Sequence, residues 1–301
     1  MLELRPVATP QLPGWRPTLV ARQATLRFAK QYDDPAPARE QAEALVTRSL
    51  EGTRLLEAVD GGRDVGFLWW GRDGDAGGIL DVRLDEPDRV DELLPHVFDL
   101  ARADRVSQVG HAGVPTDPTR SAMVALPGFV ARATNMRLLL DGETGDPGAL
   151  GLEPMSQEEF DEFHARMADG YAVELASAGM TREAADARSR EQLAELVPAG
   201  LASAGQHFFT GRVDGTRVGH LWLNTDRPMA FVYDIAVRED QRRRGYGAAI
   251  MNAGARWCRE RGHFALGLNV FAHNPGARAL YDRLGYEVTV DYRTIAVPDA
   301  G

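Results

Sequence analysis

Apolar positions in this chain follow two rhythms, one returning every three or four residues and one every second residue. In the second half, Phe160, Phe163, Met167 and Tyr171 share one face of a helix. Ser156 followed by Glu159 is a capping box that opens it. A second helix is predicted to follow Thr181 and to end near Leu196, ahead of Pro198. Strand-like runs come next at His207–Val213, Val218–Leu223 and Ala230–Val237. A helix carrying Ile250, Met251, Gly254, Trp257 and Cys258 then ends at Gly262, and a strand is expected at Leu266–Phe271. In the last helix Asn274 suits the N-cap and Pro275 the first turn. Ala277, Leu280, Tyr281 and Leu284 form one face, and Gly285 closes it.

The first half repeats part of this pattern. Gly62, Val65, Gly66, Leu68 and Trp69 match Gly215, Val218, Gly219, Leu221 and Trp222 at one constant offset. Each run follows a Val-Asp-Gly turn, at Val59-Asp60-Gly61 and Val213-Asp214-Gly215, and reads as a hairpin entering a strand. Downstream, Gly128-Phe129 with Arg137 corresponds to Gly285-Tyr286 with Arg293. Two anchors in the same order imply a duplicated unit. Between Asp141 and Gly151 the residues Gly142, Gly145, Asp146, Pro147 and Gly148 break any helix or strand. The expected division is 1–141, a linker at 142–151, and 152–301.

A chain of 301 residues is long enough for two modest cores, and 44% hydrophobic with 26% charged residues is ordinary for a globular protein. No apolar run approaches a membrane span, and Met1-Leu2-Glu3-Leu4-Arg5 lacks the basic-then-apolar layout of a signal segment, so a soluble cytoplasmic protein is expected. The single Cys258 permits no internal disulfide, and no Cys/His cluster has metal-ligand spacing. Cys258, beside Trp257 in a helix, reads as a small buried hydrophobe. The net charge of −10 argues against nucleic acid and, by its field, favours a cationic ligand. Positive charge is nearly all arginine, Lys30 being the one lysine.

Directly after the Ala230–Val237 strand stands Arg242-Arg243-Arg244-Gly245-Tyr246-Gly247-Ala248, leading into a helix. A strand, a glycine loop and a helix N-terminus together aim backbone N–H groups at one spot and let an anion approach them. Val237, Arg242, Gly245 and Gly247 resemble the acyl-CoA signature of the GNAT superfamily of N-acetyltransferases, a central strand followed by Arg/Gln-x-x-Gly-x-Gly/Ala. Glu239 departs from it, standing where the family often has proline. Asn274, Ala277, Leu280, Tyr281, Gly285 and Tyr286 match the family's second signature, and the resemblance covers about Leu152 to Val297. Taken with the repeat, it implies an α/β (α+β) protein of two tandem GNAT-like domains, each a mixed, mostly antiparallel sheet flanked by helices.

The resemblance further implies acetyl-CoA as acyl donor and direct attack of an amine on the thioester. The backbone of Ile235 and Val237 would hold the acyl and pantetheine groups, Arg242 to Ala248 the pyrophosphate, and Asn274 and Ala277 further cofactor contacts. Periodicity alone makes Tyr281 a core residue, whereas the resemblance makes it the proton donor to the departing thiolate. Asp234, a carboxylate amid Val232, Ile235, Ala236 and Val237, is the first candidate for general base, or is paired with an arginine. Glu174 is the second candidate, with His220 and His207 behind it as histidines on half-buried strands.

At the corresponding point the first half has Leu84-Asp85-Glu86-Pro87-Asp88-Arg89-Val90-Asp91, without glycine and rich in carboxylates that would repel a pyrophosphate. Pro118 to Leu126 offers no match to Asn274 or Tyr281. This half is expected to keep the fold without the cofactor, and to let the protein act as a monomer through an internal pseudo-dimer, or as a homodimer. The expected activity is acetylation of a small, cationic amine. A protein acetyltransferase would need an open groove beside Tyr171 and Asp234, and a non-catalytic acyl-CoA sensor is a third reading.

Overall fold

The elements form where the two rhythms place them. A computed structural model describes residues 2–73, 76–177 and 180–298. The first half contains β1 (Glu3–Pro6), α1 (Leu12–Gln31), α2 (Pro35–Ser49), β2 (Arg54–Asp60), β3 (Arg63–Asp73), β4 (Ala76–Leu84), α3 (Leu94–Ala103), β5 (Gln108–Gly113), α4 (Pro118–Ala125) and β6 (Val130–Leu139). The second half contains β7 (Gly151–Pro154), α5 (Gln157–Ser177), α6 (Arg182–Leu196), β8 (Gln206–Val213), β9 (Thr216–Asn224), β10 (Ala230–Val237), α7 (Tyr246–Glu260), β11 (Ala265–Phe271), α8 (Pro275–Arg283) and β12 (Glu287–Ala296).

The local signals act as read. The Ser156 hydroxyl accepts from the Glu159 N–H at 3.2 Å while the Glu159 carboxylate accepts from the Ser156 N–H at 3.1 Å, closing the capping box of α5. Thr181 caps α6 through the Ala184 N–H at 3.3 Å. No helix among the described residues is long and apolar enough to cross a membrane.

Contacts divide the chain into two compact units that are not contiguous in sequence. The first comprises Met1–Arg137, Asn269–Tyr281 and Tyr286–Gly301, the second Leu138–Leu268 and Asp282–Gly285. The reason is the last strand: β12 lies between β5 and β6, antiparallel to both, so the C-terminal residues enter the sheet of the first unit. In that unit the strands run β1-β2-β3-β4-β5-β12-β6, and in the second β11-β10-β9-β8-β7. Both sheets are mostly antiparallel, with β4–β5 and β10–β11 parallel. The expected linker runs without helix or strand and is tied to α7, Arg259 donating to the Gly142 carbonyl at 2.9 Å and Asn252 to that of Asp146 at 3.0 Å.

Each sheet is covered by its own helices. In the first unit Leu19 and Val20 of α1 and Ala42 and Val46 of α2 pack on Phe67 and Trp69 of β3. In the second, Phe160 and Phe163 of α5 pack on Phe208 and Trp222. Removing such an aromatic from water is worth about 1.5–3 kcal/mol, which sets α5 firmly over β9.

Candidate active site

β10 is the central element. It pairs antiparallel with β9 as far as Val237–Gly219 but parallel with β11 only to Val232–Leu268. The Arg238 N–H donates to the Val218 carbonyl at 2.9 Å. Because hydrogen-bonded pairs alternate along an antiparallel ladder, Ala236 also bonds β9, and the N–H groups of Ile235 and Val237 point to the side that β11 has left. Among the described residues neither has an acceptor. Gly219 is required opposite, since a Cβ there would run into the Ala236 carbonyl oxygen.

β10 leads through a 3₁₀ turn (Glu239–Gln241) into the glycine loop. Arg243 (φ +62°) and Gly245 (φ +83°) adopt left-handed backbone conformations that swing the chain into α7. No side chain caps this helix, and among the described residues nothing accepts from the N–H groups of Tyr246, Gly247 and Ala248. Arg242, Arg243 and Arg244 are exposed and have no carboxylate partner among the described residues. Free N–H groups, a helix N-terminus and three arginines are the chemistry that an anion site requires. α7 is held close to the sheet at Gly254, where a Cβ would come 2.6 Å from Leu221.

Asp234 follows a bulge on β10 and stands opposite Trp222. Its partner is a histidine, not the arginine considered above: the Asp234 carboxylate meets His220 Nε2 at 2.5 Å. His220 is buried edge-on against Phe163, ring centroids 5.1 Å apart. Arg166, held over the Phe163 ring, approaches the other ring nitrogen, Nδ1, at 3.5 Å. A guanidinium only donates, so the arrangement matches a neutral imidazole with its proton on Nε2, given to Asp234, and its lone pair on Nδ1. At 3.5 Å the Arg166 contact is weak. A cavity of about 270 Å³ opens beside this group, walled by His220, Ala236, Arg166 and Arg242.

The other candidates fall as follows. His207 accepts from or donates to the Thr225 hydroxyl at 3.0 Å and packs on Trp257, burial lowering its pKa, and so serves the structure. The Glu174 position lies in α5, with its side chain outside the described residues. Cys258 is buried, which pushes its thiol up to about 12 and leaves no thiolate near neutrality. Asn274 caps α8 through the Ala277 N–H at 3.1 Å, Gly285 (φ +82°) follows the helix end, and Tyr281 is buried with its ring 5.8 Å from that of Tyr286. By contacts Asn274, Ala277 and Tyr281 belong to the first compact unit and the other candidates to the second. Arg166 carries no signal of its own in the sequence beyond lying three residues after Phe163 on one helix face.

The first unit shows the same frame in a different state. β4 also parts from β5 after three pairs, and Asp81 stands opposite Trp69 beside a bulge as Asp234 stands opposite Trp222. Here the two outward N–H groups are occupied: that of Val82 by the Asp81 carboxylate at 2.8 Å, that of Leu84 by the Thr119 hydroxyl at 3.2 Å. At the place of the glycine loop, Arg89 binds Asp60 at 2.9 Å and Glu92 at 2.7 Å.

An open strand edge thus stands beside a helix start with free N–H groups, and the same strands carry a carboxylate–imidazole pair. The model of the acetyltransferase (GNAT) family matches residues 171–286. The N-acetyltransferase YycN of Bacillus subtilis is 33% identical over 144 residues, 46% of this chain and 92% of its own length. A mycothiol acetyltransferase of Clavibacter michiganensis is 29% identical over 281 residues, 88% of each chain. The crystal structure of a GCN5-related N-acetyltransferase from Sphaerobacter thermophilus covers 100% of this chain and 97% of its own at 14% identity, with a TM-score of 0.54, a likeness of fold. The chain belongs to the GNAT acetyltransferase family.

Proposed function

We propose that this enzyme transfers the acetyl group of acetyl-CoA to a primary amine of a small molecule. The observation that carries this reading is the pair of unmet N–H groups on Ile235 and Val237, on a strand that leads into an open anion-binding helix start. The thioester supplies an activated acyl carbon, whose bond to sulfur breaks as the bond to nitrogen forms. The N–H groups of Ile235 and Val237 hold the carbonyl oxygen as it gains charge, an arrangement worth several kcal/mol in a water-poor site. Arg242 to Ala248 hold the pyrophosphate. His220 takes the amine proton on Nδ1, with Asp234, the first candidate for that role, fixing the ring and balancing the imidazolium. Tyr281, in the role its motif implies, returns a proton to the leaving sulfur.

A cavity of about 270 Å³ beside His220 suits a small acceptor better than a protein segment. The likeness to a mycothiol acetyltransferase, which runs through both halves, points the same way. The test is release of CoA thiol and formation of N-acetyl product, followed by mass spectrometry across a panel of small amines. Amine-dependent release is expected. Tight acetyl-CoA binding with no transfer to any amine would instead favour an acyl-CoA sensor.

A further inference from the structure

The cavity beside His220 has a charge of its own. Four arginines and two glutamates, Glu162 and Glu239, line it, a positive excess in a chain whose net charge is −10. Two of the arginines are matched, Arg217 by Glu162 and Arg238 by Asp240, each at 3.1 Å. Arg242 opens the pyrophosphate loop. Arg166 remains, without a carboxylate within ion-pair distance among the described residues and with only the long approach to His220 Nδ1.

Nothing in the fold requires an arginine at that place. Trp15 of α1 packs on Phe67 of β3, ring centroids 5.7 Å apart, as Phe163 packs on His220 at 5.1 Å. Three residues further along each helix stand Thr18 and Arg166, and both line a cavity. The first unit's cavity, about 440 Å³, carries Glu57, Asp64 and Asp85 on its wall with Arg83 as its one cation. Carboxylates therefore outnumber arginines at this place in the first unit, arginines outnumber carboxylates four to two in the second, and only in the second does it adjoin the imidazole pair.

Resting on the acetylation reading above, we propose that the acceptor amine carries an anionic group, a carboxylate or a phosphate, which Arg166 binds. A guanidinium recognises either group with two parallel hydrogen bonds. Drawing Arg166 toward such a group also releases Nδ1 of His220, so that the bound acceptor itself uncovers the lone pair that takes its proton. The overall acidity of the chain is then no guide to the acceptor, because a local guanidinium outweighs distant charges screened by salt.

The experiment compares 4-aminobutyrate and 3-aminopropyl phosphate with 4-aminobutanamide and 1,4-diaminobutane. Expected is a kcat/KM for one of the two anionic amines at least about tenfold above that for the neutral amide. In Arg166→Gln that ratio should fall to about one, and Arg166→Lys should restore part of it. The better of the two anionic amines identifies the group. Should no amine be turned over, calorimetric binding of the same four compounds to the CoA-saturated protein reads the same ratio, so that the charge preference and the acetylation reading fail separately. An amide or diamine that performs as well as both anionic amines, or a preference that survives Arg166→Gln, overturns the proposal.

Discussion

At the bulge of β4 and at the bulge of β10 an aspartate stands in the same register, opposite a tryptophan of the preceding strand. Asp81 is fully buried and receives Arg22 Nε at 2.8 Å, Gln23 at 2.9 Å and Arg120 at 3.0 Å, besides the N–H of Val82. Asp234 is half-buried and faces one imidazole. In the first unit the strand edge is filled from within: α4 sends Thr119 to the Leu84 N–H and Arg120 to the Leu80 carbonyl. The corresponding residues after the N-cap of α8 are Gly276 and Ala277, which have no side-chain hydrogen-bonding group. A parted strand is thus no acyl site in itself. It becomes one only where its N–H groups are left unmet and the next loop offers an anion site. The first unit meets both needs with its own side chains, which is why we assign the chemistry to the second half and a scaffold role to the first.

The sharpest way to break this comparison is to make one change at both bulges. Asp81→Asn should lower stability by about 3 kcal/mol, since it leaves buried Arg120 without a charge partner and Arg22 with Asp117 alone. Asp234→Asn should leave stability within about 1 kcal/mol and lower kcat by about 10²–10⁴-fold, because an amide can donate to His220 Nε2 and force the proton onto Nδ1. Thermal unfolding and steady-state kinetics on both variants check this. A similar loss of kcat in both, at equal stability, would deny the two carboxylates their different roles.

Two smaller effects sharpen the account of the second half. Tyr281→Phe should reduce kcat by about a hundredfold with the KM for acetyl-CoA nearly unchanged, whereas Val124, which takes the tyrosine's place in α4, should tolerate Leu without kinetic effect. Gly247→Glu sets a carboxylate among the free N–H groups at the start of α7 and should weaken acetyl-CoA binding by about ten- to a hundredfold, read by fluorescence or calorimetric titration. Normal binding by that variant would misplace the phosphate loop.

Much of this was legible in the sequence because it depends on local chemistry. The glycine loop, the Asn274 cap and the capping box at Ser156 each rest on residues within a few positions of one another, and the duplication on short local runs that recur at one offset. The Asp234–His220 pair was not legible as a pair: it joins two strands diagonally, just past a bulge, and the register of one strand on the next leaves no mark in composition. The filling of the first unit's strand edge was equally hidden. Pro118 to Leu126 showed only what was missing, while the active obstruction comes from Thr119 and Arg120 reaching β4 across more than thirty residues of chain. Placement of β12 beside β5 was hidden for the same reason, since strand order is a property of the sheet and not of the strand.

The smallest expected effect concerns the strands where the two units part. Val232 of β10 faces Leu268 of β11, and Ile79 of β4 faces His111 of β5. His111 is buried, gives its Nδ1 proton to the Ile79 carbonyl at 2.7 Å, and has no partner for Nε2 among the described residues. Burial, reinforced by Arg120, holds its pKa well below the ordinary value. Below about pH 6.5 the unfolded chain therefore binds a proton that the folded protein refuses, and stability falls as the pH drops through that value; above it the residue contributes no slope. His111→Leu, which writes the second unit's residue into the first, should remove this slope. Between pH 7.5 and 5.5 the variant should gain about 1.4 kcal/mol relative to the parent, measured by urea unfolding at both values. Parallel losses in the two proteins would mean that His111 takes up its proton in the folded state, and that the first unit's strand edge admits more water than its filled hydrogen bonds imply.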